Sequence, residues 1–496
     1  MSRFVAFIQT QPPEEIRPLL PTILKLIQTG SKQVDCQSLT AKLVISLHPW
    51  PKLWGIWDEW LAVCRLAADI LARQGEVQAQ GWLLADVVEM LFELGRYEDA
   101  LAVFAQLEAI ADGRPEMARP FCRAGHTAST KLILSGHSEK GMIIYERQVA
   151  WLSIWRFRLS EADFYYAQTL VVLQQTMVMR RQDTQHEAVA MIDTILAQLP
   201  AWLDMPLDLW RDVYHHQGGV LLSTADYVGS VAAMEQAIAF AVQMDDAYGE
   251  AGLYADKALP LWGMGAYDEV ETAVRRSIYL CEKLKANWRL ARSIHVLVSV
   301  LVTRGLLDEA MIWLARQMEL TQQMQDEALF ADAYTLRALV YMQREQYALA
   351  LADLQVSMNS YRQREVERWV VWGGANMSWC YSLLGDEETA VSLAHYVLQL
   401  SRDARTENVE VLALRCLARF QTGAAKQSTL KQAVQLAQKI NSLFNEAACL
   451  FDLVAADTAV QEVYWQQAVS LLERCGVMGW VNGSTVQNPP CLPLIA

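Results

Sequence analysis

Basic residues are in short supply: 42 Lys+Arg stand against 56 Asp+Glu in 496 residues, a formal net charge of -14. A surface that tracks phosphates carries the opposite sign, so nucleic acid is not an expected partner. Proline and glycine are also sparse, at 14 and 24, while apolar residues make up 53% and charged residues 20%. That balance excludes a disordered, collagen-like or low-complexity chain and leaves ample material for a core. No uncharged apolar run approaches the roughly 18 residues that span a bilayer, and the opening run Phe4-Val-Ala-Phe-Ile is too short for a secretory core. Neither membrane insertion nor export is expected. The nine cysteines are scattered singly (36, 64, 122, 281, 380, 416, 449, 475, 491), with no C-x-x-C pair and no spacing of a disulfide scaffold. Reduced thiols in a cytoplasmic setting are the expectation.

Catalytic signatures are missing too. There is no G-x-x-x-x-G-K-[ST] and no His-Glu-x-x-His, and Gly263-Met-Gly265 lacks the third glycine and the preceding strand of a dinucleotide site. Cys122 and His126, four apart, could pair as nucleophile and base, but with no orienting group or oxyanion hole a structural role is preferred. His215 and His216 are adjacent, so on a helix they point apart, and no third ligand has the right spacing. No cofactor or metal is expected, and no enzyme. The acidic pairs Glu98-Asp99 and Asp268-Glu269, and Asp386-Glu387-Glu388, fall in first turns of helices, where they favour the positive end of the helix dipole.

What the sequence does contain is a repeat. Residues 82–104 read as an apolar helix, a glycine at 95, an aromatic two places later, then alanine and a large apolar residue on a second helix. Aligning other segments on Gly95 gives turn positions at Gly136, Asp183, Ala225, Gly265, Gly305, Glu345 and Gly385, the last four spaced by 40 residues. Five residues after each turn stand Ala100, Gly141, Ala188, Ser230, Val270, Ala310, Ala350 and Ala390. Seven before come Ser129, Gly218, Ala258, Ala338 and Ser378, with Val88 and Val298 departing. Small residues on both helices keep their crossing narrow. Large residues four before the turn (Leu91, Leu132, Leu221, Leu261, Leu301, Tyr341, Tyr381) and nine after it fill the flanks, as ridges-into-grooves packing requires. No proline occurs from residue 261 to 488, as an uninterrupted helical array demands; Pro260 falls inside a predicted helix.

This pattern resembles the tetratricopeptide (TPR) repeat: a small and an apolar residue on helix A, a Gly-x-Tyr turn, and Ala-x3-Phe on helix B. The match is good at Gly95/Tyr97/Ala100/Phe104 and Gly265/Tyr267. The period near 40 departs from the usual 34 and looks like the sensor arrays of signal-transducing NTPases and caspase-like (CHAT) regulators. The resemblance implies an all-α, right-handed α-solenoid of stacked antiparallel helix pairs. The expected organisation is an N-terminal helical cap over 1–80, a TPR-like array over 81–400, degenerate repeats and a cap over 401–480, and an irregular tail over 481–496. A length prior of about three domains thereby becomes one array of roughly ten to twelve pairs.

In such a solenoid helix A lines the concave side. The positions thirteen before the turn are Trp82, Arg123, Asp212, Arg292, Asp332 and Trp372; those ten before include His126, His215, His295 and Thr335. With Trp262 and Trp379 near the same wall and Arg180-Arg181 as further cations, these form a candidate binding groove, since aromatic and Arg side chains anchor interfaces. A plain solvated helix face is the competing reading. The resemblance implies a non-enzymatic scaffold or adaptor for a protein or peptide segment, such as a protease, NTPase or regulator encoded nearby. A sensor that takes up a peptide or small ligand and changes curvature is the alternative.

Overall fold

The computed structural model describes residues 1–135, 137–179, 185–198, 205–324, 326–363, 367–403, 407–456, 460–481, 484–487 and 489–490. The first helices are short, as the early prolines dictate: α1 (Ser2–Thr10), α2 (Pro13–Ile16), α3 (Leu20–Gly30), α4 (Gln37–Leu47) and α5 (Trp50–Leu53). Proline stands in the first turn of α3 and of α5, where its missing N–H has no helical partner to lose. A long helix, α6 (Trp57–Gln74), follows.

Antiparallel A/B pairs then succeed one another. They are α7 (Val77–Glu93) with α8 (Tyr97–Ala111), α9 (Ala118–Leu134) with α10 (Ser138–Trp155), and α11 (Glu161–Met179) with α12 (Gln185–Gln198). Next come α13 (Leu207–Ser223) with α14 (Tyr227–Gln243), α15 (Ala247–Gly263) with α16 (Tyr267–Leu284), and α17 (Asn287–Thr303) with α18 (Leu307–Met324). The rest are α19 (Glu327–Gln343) with α20 (Tyr347–Gln363), α21 (Glu367–Leu384) with α22 (Glu387–Asp403), α23 (Glu407–Ala418) with α24 (Gly423–Lys439), and α25 (Leu443–Val454) with α26 (Gln461–Arg474). Pro260 sits within α15, which continues to Gly263. The chain separates into two compact units, Met1–Leu253 with Leu280–Ala286, and Tyr254–Tyr279 with Asn287–Ala496.

The 40-residue turns are made in one way. Gly95, Ala225, Gly265, Gly305, Glu345 and Gly385 all take left-handed backbone, with φ between 59° and 86°. The next residue's N–H then reaches back to the carbonyl five places earlier, as in Arg96 to Leu91 (2.8 Å), Asp226 to Leu221 (3.0 Å) and Gln346 to Tyr341 (2.8 Å). This closes the helix end in a Schellman motif. The acceptors are the large residues that stand four before the turn. Gly136 and Asp183 lie outside the described residues.

Small residues at the crossing do more than save space. Ser129 Oγ donates to the Gly141 carbonyl (2.9 Å), Ser230 Oγ to that of Gly218 (2.7 Å) and Ser378 Oγ to that of Ala390 (2.7 Å). A hydroxyl on one helix therefore bonds the backbone of the other at full burial. At Gly141 even a methyl group would lie 2.9 Å from the Ser129 carbonyl oxygen.

Tryptophans tie distant turns together inside each unit. In the first, Trp54 Nε1 donates to Asp245 (3.0 Å) and the Trp57 ring meets Tyr248 edge-on at 4.1 Å. In the second, Trp480 Nε1 donates to the Thr303 carbonyl (2.6 Å), and Gly265 lies so close to Cys475 that a Cβ there would come within 2.8 Å of its sulfur. Helical spacing reads Trp60, Trp151 and Trp313 as core; Trp60 and Trp151 are buried, and Trp313 is half-buried.

Two consequences can be measured. Glu345 and Ala225 hold left-handed backbone that costs an L-residue about 1 kcal/mol, so Glu345→Gly and Ala225→Gly should each stabilise the chain by roughly 0.5–1 kcal/mol in urea unfolding. Ala390→Leu should instead destabilise it by about 1–3 kcal/mol, because the crossing has no room for a larger side chain.

Candidate binding faces on the A helices

In unit 1 the predicted row of polar residues is present but not open to solvent. Arg123 on α9 is ion-paired with Asp212 on α13, 89 residues away in sequence, and lies 3.6 Å from Asp208. Asp212 also accepts from Arg211 (2.8 Å), which in turn pairs with Asp246. The rings of His126 and His216 lie 5.0 Å apart across the same two helices. Because α9 and α13 belong to alternate repeats, their A faces meet within the unit, and Arg123, His126 and Asp212 are less than a tenth exposed. His215, beside His216, is half-buried.

A second cluster sits on α7. Lys52 bridges Asp86 (2.7 Å) and Glu89 (2.9 Å), and His48 Nε2 lies 3.1 Å from Asp86. The His48 ring also faces Trp82, which is half-buried, at 5.9 Å. Glu93, one turn further along α7, binds Lys131 (2.5 Å) and the Tyr248 hydroxyl (2.6 Å).

The electrostatics follow from burial set against pairing. Burial alone would raise the carboxyl of Asp212, but Arg123 and then Arg211 outweigh it and hold the group far below the ordinary carboxylate range. Asp86 is held low in the same way by His48 and Lys52, and Lys52 is raised by Asp86 and Glu89 despite its burial. His126 behaves oppositely: burial pushes it down from 6.5 to about 4, so it stays neutral. Its Nδ1 has no hydrogen-bond partner among the described residues, and neither has the buried hydroxyl of Tyr166, whose ring lies under Arg119 at 5.2 Å.

Unit 2 is built differently. Arg292 is exposed on α17 with its guanidinium 5.0 Å from the Trp288 ring centre. On α19, Asp332 accepts from the Tyr361 hydroxyl (2.8 Å), which is also 3.0 Å from Thr335 Oγ1. Tyr361 stacks on Trp369, and Trp369 meets Trp372 edge-on at 5.9 Å. Trp372 and Trp379 are each 4% exposed. Two guanidiniums share the Trp379 ring, Arg415 at 5.2 Å and Arg419 at 4.6 Å. Arg415 is paired with Asp452 (2.7 Å); Arg292 and Arg419 have no carboxylate partner among the described residues. The indole N–H of Trp372 and the Oδ1 of Asn376, one turn apart on α21 and buried, also lack partners there, as does His295 Nδ1. Trp262 is half-buried with its ring edge-on to Tyr267 at 5.4 Å. Arg180 and Arg181 lie outside the described residues.

Several participants went unnoticed in the sequence. Asp86 and Glu89, nine and six before the Gly95 turn, and Asn376, nine before Gly385, continue the register by further turns of the same helix face. Lys52 and Arg211 lie off that register and carry no comparable signal. Cys122 is fully buried and its thiol is pushed up to about 12 by burial, which leaves no thiolate for nucleophilic attack. Among the described residues no group of three His, Cys, Asp or Glu side chains is placed to hold a metal ion, and no helix is long and apolar enough to cross a membrane.

No protein-family model matches the chain, and no curated protein matches it. Solved structures do match. A Rap protein complexed with competence and sporulation factor has a TM-score of 0.56 at 11% identity, over 72% of this chain and 97% of that one. The apo form of the quorum sensor NprR from B. thuringiensis has a TM-score of 0.51 at 12% identity, over 71% and 98%. This chain is a TPR-like helical solenoid. A third TPR-like neighbour, the Rap conjugation gene regulator of plasmid pLS20 in complex with the Phr* peptide, gives a TM-score of 0.50 at 12% identity, over 62% and 95%. Identities this low speak for the TPR-like fold alone.

Removing Asp212 leaves the buried Arg123 with only Asp208, 3.6 Å away, while Arg211 keeps Asp246. Asp212→Asn should cost about 3–5 kcal/mol in urea unfolding, far more than loss of an exposed carboxylate. His126 sets a pH dependence of defined sign. Between its folded value of about 4 and its ordinary 6.5 the unfolded chain binds more protons, so stability falls as pH drops through that window. Melting temperature followed across it should decline, and more gently in His126→Gln.

Proposed function

We propose that the protein is a non-enzymatic, regulatory interaction scaffold that binds a peptide or an extended segment of a partner protein along the A-helix faces of unit 2. The observation that carries this reading is the unsatisfied character of that face. Arg292 and Arg419 rest on indole rings without a carboxylate, and the Trp372 N–H and Asn376 Oδ1 offer a donor and an acceptor one helical turn apart. An extended peptide presents a carbonyl and an N–H at each residue and suits such a pair once the packing over these two buried groups opens. Aromatic and Arg side chains supply the energetic anchors of most interfaces. The charges of the corresponding face of unit 1 pair with one another, although His126 Nδ1 and the Tyr166 hydroxyl are left over there too, and that face serves as a frame. Two of the fold's neighbours were solved with competence and sporulation factor and with the Phr* peptide, which supports a peptide-sized occupant.

A sensor reading, in which the occupant alters how the repeats stack, draws on the Trp54–Asp245 and Trp480–Thr303 ties. Each joins segments far apart in sequence, so a change of curvature within either unit would load one of them.

The scaffold reading is tested by quantitative affinity capture from the source cells. Arg292→Ala combined with Arg419→Ala, and separately Trp372→Phe, should lower recovery of the bound partner by about tenfold, equivalent to about 1.4 kcal/mol. Arg344→Ala, on the turn between α19 and α20, should leave it unchanged. Undiminished capture by both inner-face variants would overturn the assignment.

A further inference from the structure

An outer corner of unit 1 carries features the inner faces do not explain. Along the exposed side of α10, Ile143, Arg147, Ala150 and Ile154 follow one another at intervals of four, three and four, one stripe of a helix in which Arg147 is paired with Glu108. Ile143 is 41% exposed and Ile154 70%. The stripe ends at Phe157, in the short turn after α10, which is 91% exposed. Two large apolar side chains as open as Ile154 and Phe157, three residues apart, are uncommon on a surface with no partner.

Two cations flank the tip, and the exposed Glu161 follows three residues beyond Arg158. Arg156 lies 5.8 Å from the Phe157 ring centre and 5.2 Å from that of Phe164, while Arg158 lies 5.4 Å from that of Trp155. Neither guanidinium has a carboxylate within ion-pair distance among the described residues. Two exposed guanidiniums are thus held against rings on either side of an open phenylalanine. Ring contact fixes the planar groups in place and leaves their N–H edges free for carboxylate oxygens.

We propose that the α10 corner, formed by Ile143, Ala150, Ile154 and Phe157 with Arg156 and Arg158, is a docking site for an acidic segment of a partner protein that also carries apolar side chains. The stripe takes the apolar residues, and the two guanidiniums take Asp or Glu. Charge complementarity selects this occupant: a basic segment meets the arginines with like charge, and a purely apolar one leaves both without an anion. The site lies on helix B and its following turn, so it is independent of the inner A-helix face and adds a second contact to the scaffold.

The test uses the full chain and a short fluorescent peptide alternating glutamate with phenylalanine and leucine. A lysine-for-glutamate counterpart, phosphatidylserine vesicles and a single-stranded oligonucleotide complete the comparison. The acidic peptide should bind with an affinity that weakens as salt is raised. Arg156→Glu with Arg158→Glu, and separately Phe157→Ser, should each weaken it by about tenfold or more, with melting temperature unchanged because all three side chains sit at the surface. Trp372→Phe, on the inner face of unit 2, should leave this binding intact even where it abolishes partner capture. Absence of acidic-peptide binding, equal binding of the lysine peptide, insensitivity to the corner variants, or binding of vesicles or oligonucleotide in its place would overturn the proposal.

Discussion

The close approach of helices A and B at the crossing seven residues before and five after each turn is the constraint on which everything else rests. Where a serine stands at either position, its hydroxyl bonds the opposite backbone, as Ser129, Ser230 and Ser378 do. Where alanine or valine stands there, as at Ala258 and Val270 or at Ala338 and Ala350, the side chains are fully buried and the helices simply touch. A narrow crossing fixes the angle between the helices of a pair, and one turn geometry repeated every 40 residues passes that angle on. Which side chains face inward on each A helix is then settled before any charge is placed.

The two units use that common frame in opposite ways. In unit 1 the inward residues of α7, α9 and α13 are charges of both signs, and they neutralise one another at burial. Such a network contributes little net stability, because desolvation offsets most of the Coulomb gain, but it penalises any arrangement that separates the partners. In unit 2 the inward residues of α17, α21 and α23 are arginines laid on tryptophans, with buried polar atoms left over. A guanidinium on an indole face keeps its hydrogen-bonding edge available, which an ion pair does not. The first arrangement suits a frame and the second suits recognition.

Much of the fold was legible because it is local. The small residues, the turn positions and the large flanking residues repeat at a fixed spacing, so Gly95, Gly265 and Gly385 announced their left-handed turns, and Ala100 and Ala390 their crossings. Non-glycine turns such as Glu345 were legible only through the period, since their own side chains argue against the conformation. The candidate faces were legible in register and not in state. Arg123, His126 and Asp212 read as an exposed row, whereas the structure brings Arg123 and Asp212 together and buries all three. Their burial depends on α9 meeting α13 across an intervening repeat, and no spacing along the chain encodes an encounter between residues 89 apart. Lys52 was illegible for the same reason, since it comes from the irregular segment before the array. Arg415 and Arg419 fell where the turn signature fades, and the alignment ended before reaching them.

Hydrogen–deuterium exchange of the full chain, with and without its captured partner, tests the central claim most directly. If the A-helix faces of unit 2 hold the partner, slowed exchange should concentrate in α17, α21 and α23, with α18, α20 and α22 unaffected. Protection confined to those B helices, or to the ion-paired helices α9 and α13, would contradict the account.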